Sequence, residues 1–210
     1  MNIHRRSSRP LNDHEKIKWT EQMIQTAIYY ERVQSQDTLM PNIYYANWEA
    51  DMIAITKAGL VTEFEVKVTV ADFRADKLKI EKHICLQNTF ATKRPADMPR
   101  LMTGWAREAL VPNRFVYAMP EEVAAKVIDE IPPYAGLLIV KQERPPYSTI
   151  EEAGIQLRTE WARLPKQLHR EKITDSKRRN VGENAAERYC QKLLNVKYGN
   201  SNTVTVRAEV

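Results

Sequence analysis

Three charged side chains on two short apolar segments indicate a site for a metal ion and a phosphate. Asp51 lies in the first segment, and Glu65 and Lys67 lie in the second with one residue between them. If the second segment is a strand, the side chains of Glu65 and Lys67 point to the same face, because successive strand residues alternate between faces. Charges on an apolar strand are costly to bury unless they are paired, and a metal ion and a phosphate would pair with them.

The same residues also have a purely structural interpretation. In this interpretation Asp51 is an acid at a turn or strand end. Glu65 and Lys67 are then a surface ion pair that adds little to the free energy of folding. The apolar residues on either side of Glu65 favour a central strand and therefore count against the surface pair. Glu63 shares the face of Glu65, and for it a solvated charge at the sheet edge is the preferred prediction.

The elements around these residues follow from hydrophobic periodicity and breaking residues. The spacing predicts a helix over residues 14–34, with Asp13 as its cap, and a break at 39–42. A strand region at 43–55 and a second strand at 60–68 follow. The connection between these two strands is short, which favours an antiparallel hairpin.

The remaining pattern alternates between helices and buried strands. In chain order it predicts a helix from 69 or 71 to 86, a loop over 87–113 with a short helix around 102–110, a strand at 114–119, a helix from Pro120 to about 131, and a strand at 135–140.

Length and composition favour one large domain with a basic appendage. The chain has 210 residues, 43% of them apolar, which is enough for a substantial core. Its net charge of +5 favours a polyanionic partner. Cys85 and Cys190 lack metal-type spacing, so we expect a reduced, cytoplasmic protein. No signal peptide and no membrane-spanning run are expected, so no membrane partner is predicted.

The positive charge is concentrated near the end of the sequence. Residues 156–198 contain eleven Lys or Arg against five acids. We therefore predict a flexible basic arm at 1–12, a core at 13–147 and a basic, mainly helical extension at 148–210. A phosphate-facing side of the extension and a merely solvated helix face are equally compatible with this run. The candidate nucleic-acid contacts are Lys177, Arg178, Arg179 and Arg188.

The acid, the spacing and the order of elements resemble the PD-(D/E)XK nuclease superfamily. Asp51 is followed by thirteen residues and then by Glu65-Val66-Lys67, within the order helix, strand, strand, helix, strand. The proline that usually precedes the first acid is replaced by Ala50.

A longer part of the chain is similar to a small bacterial and phage branch of that superfamily, the MmcB-like DNA repair nucleases. The similarity lies in 65–76 with Lys82-His83, in 113–121 and in 134–137. It covers roughly residues 16–140. The resemblance implies a restriction-endonuclease-like α/β core, with a mixed sheet flanked by helices. The basic helical C-terminal extension, predicted from composition, would follow this core.

The resemblance also implies a Mg²⁺-dependent endonuclease that hydrolyses DNA in repair, recombination or phage DNA processing. Asp51, Glu65 and the backbone carbonyl of Val66 would hold Mg²⁺ or Mn²⁺, since hard cations prefer oxygen donors. Lys67, about 6 to 7 Å from Glu65 along the strand in Cα terms, would reach the attacking water or the scissile phosphate. This placement is compatible with Lys67 as a base and with Lys67 as an orienting cation. Nearby carboxylates favour the charged form of a lysine, so the choice between the two roles stays open.

Members of the superfamily often add a glutamate from the first helix and often dimerise to cut both strands. Glu21 is the first choice here, because it shares the side of Ile24 and Ile28, and Glu31 is the second. A homodimer is therefore one expected state.

Two rival interpretations come from other classes of protein. One is a nucleic-acid-binding protein that retains the nuclease fold but cuts nothing. The other is an assembly protein that uses its basic tail for partners and binds no metal. Intact Asp51, Glu65 and Lys67 favour the nuclease over the first rival, and metal binding would distinguish it from the second.

Overall fold

The computed structural model describes residues 17–35, 37–45, 48–94, 111–143, 156–193, 196–198 and 204–206. The predicted arm at 1–12, the predicted cap Asp13 and the predicted helix at 102–110 lie outside these ranges.

The described chain contains a six-stranded mixed sheet. Its strands lie in the same order in space as in the sequence. They are β1 (Thr38–Tyr44), β2 (Glu49–Ile55), β3 (Val61–Val66), β4 (Arg114–Pro120), β5 (Gly136–Glu143) and β6 (Gln156–Arg163). The strands β3, β4 and β5 are parallel, and every other neighbouring pair is antiparallel. The predicted hairpin and the predicted α/β class with a mixed sheet are therefore confirmed.

Within the described ranges, five helices accompany this sheet. They are α1 (Glu21–Val33), α2 (Val70–Asp76), α3 (Ile80–Thr92), α4 (Glu121–Val127), which a 3-10 turn extends over Ile128–Glu130, and α5 (Asp175–Leu193). Two short strands, β7 (Val196–Tyr198) and β8 (Val204–Val206), pair with each other. In the described part of the chain, no helix has the length and apolarity needed to cross a membrane.

The helix α1 covers one face of the sheet, and α2 to α4 lie on the other. On the α1 face, Ile24 and Ile28 pack against Phe64 and Val66 of β3. By strand alternation, Glu63, Glu65 and Lys67 belong to the opposite face. That face holds the second apolar cluster, with Phe73 and Tyr117 among its members.

Helix boundaries differ from prediction where local hydrogen bonds override periodicity. The helix α1 begins at Glu21 rather than 14, because the Thr20 side chain accepts from Met23 N at 3.3 Å and caps it there. The predicted helix to residue 86 is two helices. Backbone bonds from Leu78 N to Ala75 O and from Lys79 N to Asp76 O end α2 in a tight turn.

The predicted break at 39–42 is wrong, because these residues form most of β1. Pro41 is tolerated because β1 lies at the edge of the sheet, where a missing N–H has no ladder partner to lose. Asn42 takes a left-handed backbone with φ of 51°, a conformation in which asparagine is favoured over most residues. The predicted loop from 87 is also wrong as far as Thr92, which belongs to α3.

The predicted mainly helical C-terminal part contains a strand as well as the expected helix. Residues 156–163 pair along β5 as β6, with burial alternating between exposed and half-buried. Alternation of this kind is the signature of a strand with one solvated face. The predicted boundary at 147/148 lies outside the described residues.

Gly136, the first residue of β5, has no room for a side chain. A Cβ there would lie 2.8 Å from Pro165 N and 2.9 Å from Pro165 Cα. Gly136→Ala should therefore lower the free energy of unfolding by about 1–3 kcal/mol, because backbone must shift to admit the methyl group. Urea unfolding of the full chain measures this.

Gly182 in α5 is the matched control for that substitution. A Cβ at Gly182 meets nothing within 4 Å. Gly182→Ala should leave the protein unchanged or stabilise it by about 0.5–1 kcal/mol, since alanine is the better helix former. Equal effects of the two substitutions would contradict the close contact with Pro165.

Candidate active site

The pairing of β2 with β3 brings the three predicted site residues together. Met52 pairs with Phe64, so Asp51 lies beside the end of β3. The Oδ2 atom of Asp51 accepts a hydrogen bond from the backbone N–H of Val66 at 2.7 Å. The carboxylate of Asp51 is thereby held against the Glu65-Val66-Lys67 segment.

The carboxylate of Glu65 is fully buried and binds three ammonium groups. Its Oε1 atom accepts from Lys67 at 2.7 Å and from Lys79 at 2.8 Å. Its Oε2 atom accepts from Lys82. Lys67 and Lys82 are buried with it, whereas the Lys79 side chain is 49% exposed. Of these lysines, only Lys67 belonged to the predicted site.

Glu63 is a buried acid rather than the predicted solvated charge. It is 0% exposed. Its carboxylate accepts from Trp48 Nε1 at 2.9 and 3.1 Å and lies 3.1 Å from Lys82 Nζ. These two partners make its burial tolerable, and neither is adjacent to it in the sequence.

Asp76, the last residue of α2, adds a fourth carboxylate to this region. Its Oδ2 atom accepts from Tyr117 OH at 2.8 Å and lies 3.0 Å from His83 Nε2. Burial opposes its charge, but the His83 contact and the charge of Lys82 prevail and hold the pKa of Asp76 below its usual range. His83 also contacts Tyr134 OH at 2.8 Å, so it joins α3 to the residues around Asp76.

Carboxylates outnumber ammonium groups in this cluster, and within the described residues Asp51 is the one of the four that forms no ion pair. The cluster contains Asp51, Glu63, Glu65 and Asp76 against Lys67, Lys79 and Lys82. Burial and the charge of Glu65 raise the pKa of Asp51 to about 7, against the Val66 N–H and Lys67, which lower it. A cation beside Asp51 would offset this excess charge.

The donors near Asp51 fit Mg²⁺ better than a metal that needs a full protein cage. In the described ranges, no group of three or more His, Cys, Asp or Glu side chains is arranged to hold a metal ion. Mg²⁺ commonly takes one or two carboxylates and keeps several waters, which Asp51 and Glu65 can provide for. Glu65 can coordinate a cation only if one of the ammonium groups moves away from its carboxylate.

The two candidate glutamates of α1 have different surroundings. Glu21 accepts from Gln25 Nε2 at 2.7 Å, and the same nitrogen lies 2.9 Å from the backbone oxygen of Asp51. The charge of Glu21 contributes to the raised pKa of Asp51. Glu31 instead accepts from Thr159 and Trp161 of β6, at 2.7 and 3.0 Å. Its carboxylate is therefore occupied at the opposite edge of the sheet from β1.

Asp51 is reached through a cleft between the sheet and α5. The cleft has a volume of about 800 Å³, and Glu21 and Asp51 belong to its walls. From α5, Arg188, Tyr189 and Lys192 contribute to the lining. The N-terminal end of α1 and the C-terminal half of α5 thus flank the candidate site.

Two of the predicted nucleic-acid contacts attach α5 to β1 and its surroundings. Arg188 binds Glu49 at 2.5 Å and the carbonyl of Asn42, and it lies over the Tyr44 ring at 5.1 Å. Arg178 donates to Thr38 Oγ1 at 3.2 Å.

The other two, Lys177 and Arg179, are half-buried and exposed, respectively. All four stay predictions as nucleic-acid contacts.

The comparisons with known proteins assign no family to this chain. No protein-family model and no curated protein matches it. A solved structure, described as the SPO1766 protein of unknown function from Silicibacter pomeroyi, aligns with 81% of this chain and 85% of its own. The TM-score is 0.45 and the identity is 17%. Similarity of this degree carries no argument about function.

Proposed function

We propose that this protein is a Mg²⁺- or Mn²⁺-dependent DNA endonuclease with a restriction-endonuclease-like core, acting in repair, recombination or phage DNA processing. The observation that carries the proposal is the convergence of three side chains. Asp51 is hydrogen-bonded to the Glu65-Val66-Lys67 segment, and Lys67 lies 2.7 Å from Glu65. The raised pKa of Asp51 and the adjacent cleft support a site that receives a cation and a substrate.

In this proposal Asp51, Glu65 and the carbonyl of Val66 hold the metal ion. When bound, Mg²⁺ supplies positive charge to the phosphoryl oxygens and makes a coordinated water more acidic. The protein contributes fixed geometry, because Asp51 is tied to the backbone of β3 and Glu65 lies on a central strand. Fixed ligands need no reorganisation when charge develops on the phosphate.

Lys67 supplies a fixed positive charge beside those ligands. Its ammonium group is 5% exposed and lies within 3.7 Å of Asp72 and Asp76 as well as close to Glu65. An ammonium group offers three hydrogen-bond donors to a water or a phosphate oxygen. We therefore assign Lys67 the role of orienting the attacking water and stabilising charge on the phosphate.

Nucleic acid would approach through the cleft beside α5. Of the four predicted contacts, Arg179 is the most exposed, and Lys192, which lines the cleft, is exposed as well. Contacts of this kind give affinity that depends on salt and not on sequence. Arg188 would shape the cleft rather than release Glu49, to which it is bound.

A second candidate function is binding of nucleic acid without cleavage. It is favoured by one observation, the engagement of both Glu65 oxygens by lysines in a buried setting. If those contacts persist with substrate bound, Glu65 cannot serve as a metal ligand. A gel shift with DNA and no turnover under any divalent metal would support this alternative.

The test of the proposed function is cleavage of supercoiled plasmid and branched DNA with Mg²⁺, with Mn²⁺ and with EDTA. The wild type should cut with either metal and not with EDTA. Asp51→Asn should reduce the rate by about a hundredfold, because it removes a ligand charge from the proposed metal centre. It should also weaken Mn²⁺ binding in calorimetry.

The control is Asp129→Asn, the same change at an exposed turn position. It should leave the cleavage rate unchanged. Cutting that resists EDTA, or that proceeds undiminished in Asp51→Asn, would refute the metal-dependent mechanism.

A further inference from the structure

The two oxygens of the buried Asp76 carboxylate have different surroundings, because only one of them accepts hydrogen bonds. Oδ2 accepts from Tyr117 and contacts His83. Oδ1 has no hydrogen-bond partner in the part of the chain that the structure describes, although Asp76 is 1% exposed. A buried oxygen without a hydrogen bond is costly, so such an atom calls for an explanation.

Two ammonium groups form ion pairs with this oxygen, although neither meets the distance and the angle of a hydrogen bond to it. Lys79 Nζ is 3.1 Å and Lys67 Nζ is 3.7 Å from Asp76 Oδ1. Both ammonium groups currently donate to a single atom, Oε1 of Glu65. The oxygens of Glu65 and Asp76 therefore face the same pair of lysines.

The choice between these acceptors matters once Glu65 binds a cation. An ammonium group and a divalent cation compete for the same carboxylate oxygen. If Glu65 turns Oε1 to a cation, Lys67 and Lys79 lose their shared acceptor, and Lys67 is 5% exposed and cannot turn to water instead. A buried ammonium group left without a partner would oppose metal binding.

We propose that Asp76 is a positioning residue that accepts the ammonium groups of Lys67 and Lys79 on Oδ1 when Glu65 takes up a divalent cation. The inference rests on the metal site of the proposed function. Tyr117 and His83 hold the carboxylate in place through the other oxygen, so Oδ1 stays aimed at the lysines. Lys67 then keeps its position beside the reacting phosphate without occupying a ligand of the metal.

Asp72 is a natural comparison for Asp76, because Asp72 Oδ1 is also 3.7 Å from Lys67 Nζ. Its side chain, however, is 43% exposed. It also serves the start of α2, where Oδ2 accepts from Val68 N at 3.3 Å and Asp72 N donates to Thr69 Oγ1. These bonds cap the start of α2, and water can replace what Asp72 offers Lys67.

The experiment is a calorimetric titration of Mn²⁺ into the full chain in the wild type, Asp76→Asn, Asp72→Asn and Tyr117→Phe, with thermal unfolding of each. Asp76→Asn should weaken Mn²⁺ binding about ten- to a hundredfold, as expected for a residue that positions the groups around a metal ligand. Asp72→Asn should change the affinity by no more than about twofold. Tyr117→Phe should lower the melting temperature and weaken Mn²⁺ binding less than Asp76→Asn does, because His83 still holds Oδ2.

These outcomes separate the inference from the proposed function. Mn²⁺ binding that is weaker in Asp76→Asn than in the other variants supports the inference, even if no variant cuts DNA and the endonuclease proposal fails. Unchanged binding in a folded Asp76→Asn overturns the inference while cleavage by the wild type stands. Absence of Mn²⁺ binding by the wild type overturns both.

A second measurement covers the case in which Asp76→Asn does not fold. A crystal structure of the wild type with Mn²⁺ should bring Lys67 Nζ, now 3.7 Å from Asp76 Oδ1, within hydrogen-bond distance of that oxygen, with Lys79 Nζ staying at about its present 3.1 Å and no longer bound to Glu65. Ammonium groups that remain on Glu65 while Mn²⁺ is bound at Asp51 would overturn the inference.

Discussion

Lys67→Met should reduce metal-dependent DNA cleavage by about a hundred- to a thousandfold, the usual effect of removing one fixed donor from a site where charge develops. Methionine keeps the length and the buried packing of the side chain but lacks the ammonium group. The carboxylate of Glu65 keeps Lys79 and Lys82 as partners. The loss should therefore appear mainly in kcat, with the fold retained.

Single-turnover cleavage with Mg²⁺ in excess measures this effect. Mn²⁺ calorimetry on the same variant should show binding at least as tight as in the wild type, because one competing ammonium group has left Glu65. Lys126→Met, an exposed lysine of α4, is the control and should cut normally. A Lys67→Met protein that cuts at the wild-type rate would remove Lys67 from the mechanism.

Lys82→Met should be the most destabilising single change in the cluster, with a loss of about 3–5 kcal/mol in the free energy of unfolding. Lys82 is 3% exposed and is the ammonium partner of both Glu63 and Glu65. Without it, Glu63 retains the Trp48 N–H but contacts no opposite charge among the residues that the structure describes. Burial already raises the pKa of Glu63 in the presence of Lys82, which shows how unfavourable its charged form is there.

Urea unfolding at neutral pH measures the loss, and a second substitution identifies its cause. In Lys82→Met with Glu63→Gln, the uncompensated charge is removed, so much of the stability should return. Lys79→Met deletes an ammonium group from the same Glu65 carboxylate, but its side chain is 49% exposed. It should therefore cost no more than about 1 kcal/mol. Equal losses for Lys82→Met and Lys79→Met would show that burial is not the cause.

The juxtaposition of Asp51 with Glu65 and Lys67 could be predicted because it depends on neighbours in the sequence. Alternation along a strand places Glu65 and Lys67 on one face, and a short connection pairs β2 with β3. The strands next to the hairpin could be predicted for a similar reason, since residues 115–119 of β4 and 136–140 of β5 are short, continuous apolar runs.

The rest of the charge cluster could not be predicted in this way. Lys79 and Lys82 lie 14 and 17 residues beyond Glu65, and their pattern also fits one continuous, solvated helix. The turn that ends α2 redirects them toward β3. The burial of Glu63 could not be predicted for a related reason, because its partner Trp48 is 15 residues away on the chain.

The two edge strands, β1 and β6, could not be predicted from local residue types either. The strand β1 contains Pro41 and Asn42, which locally signal a break, and β6 lies in a polar, basic stretch. Both gain their strand conformation from the ladder offered by β2 and by β5. Local residue types therefore decided which strands are central and which three charges meet there. Long-range pairing decided how those charges are compensated, because the free energy of a buried ion depends on every group packed around it and not on its neighbours in the chain.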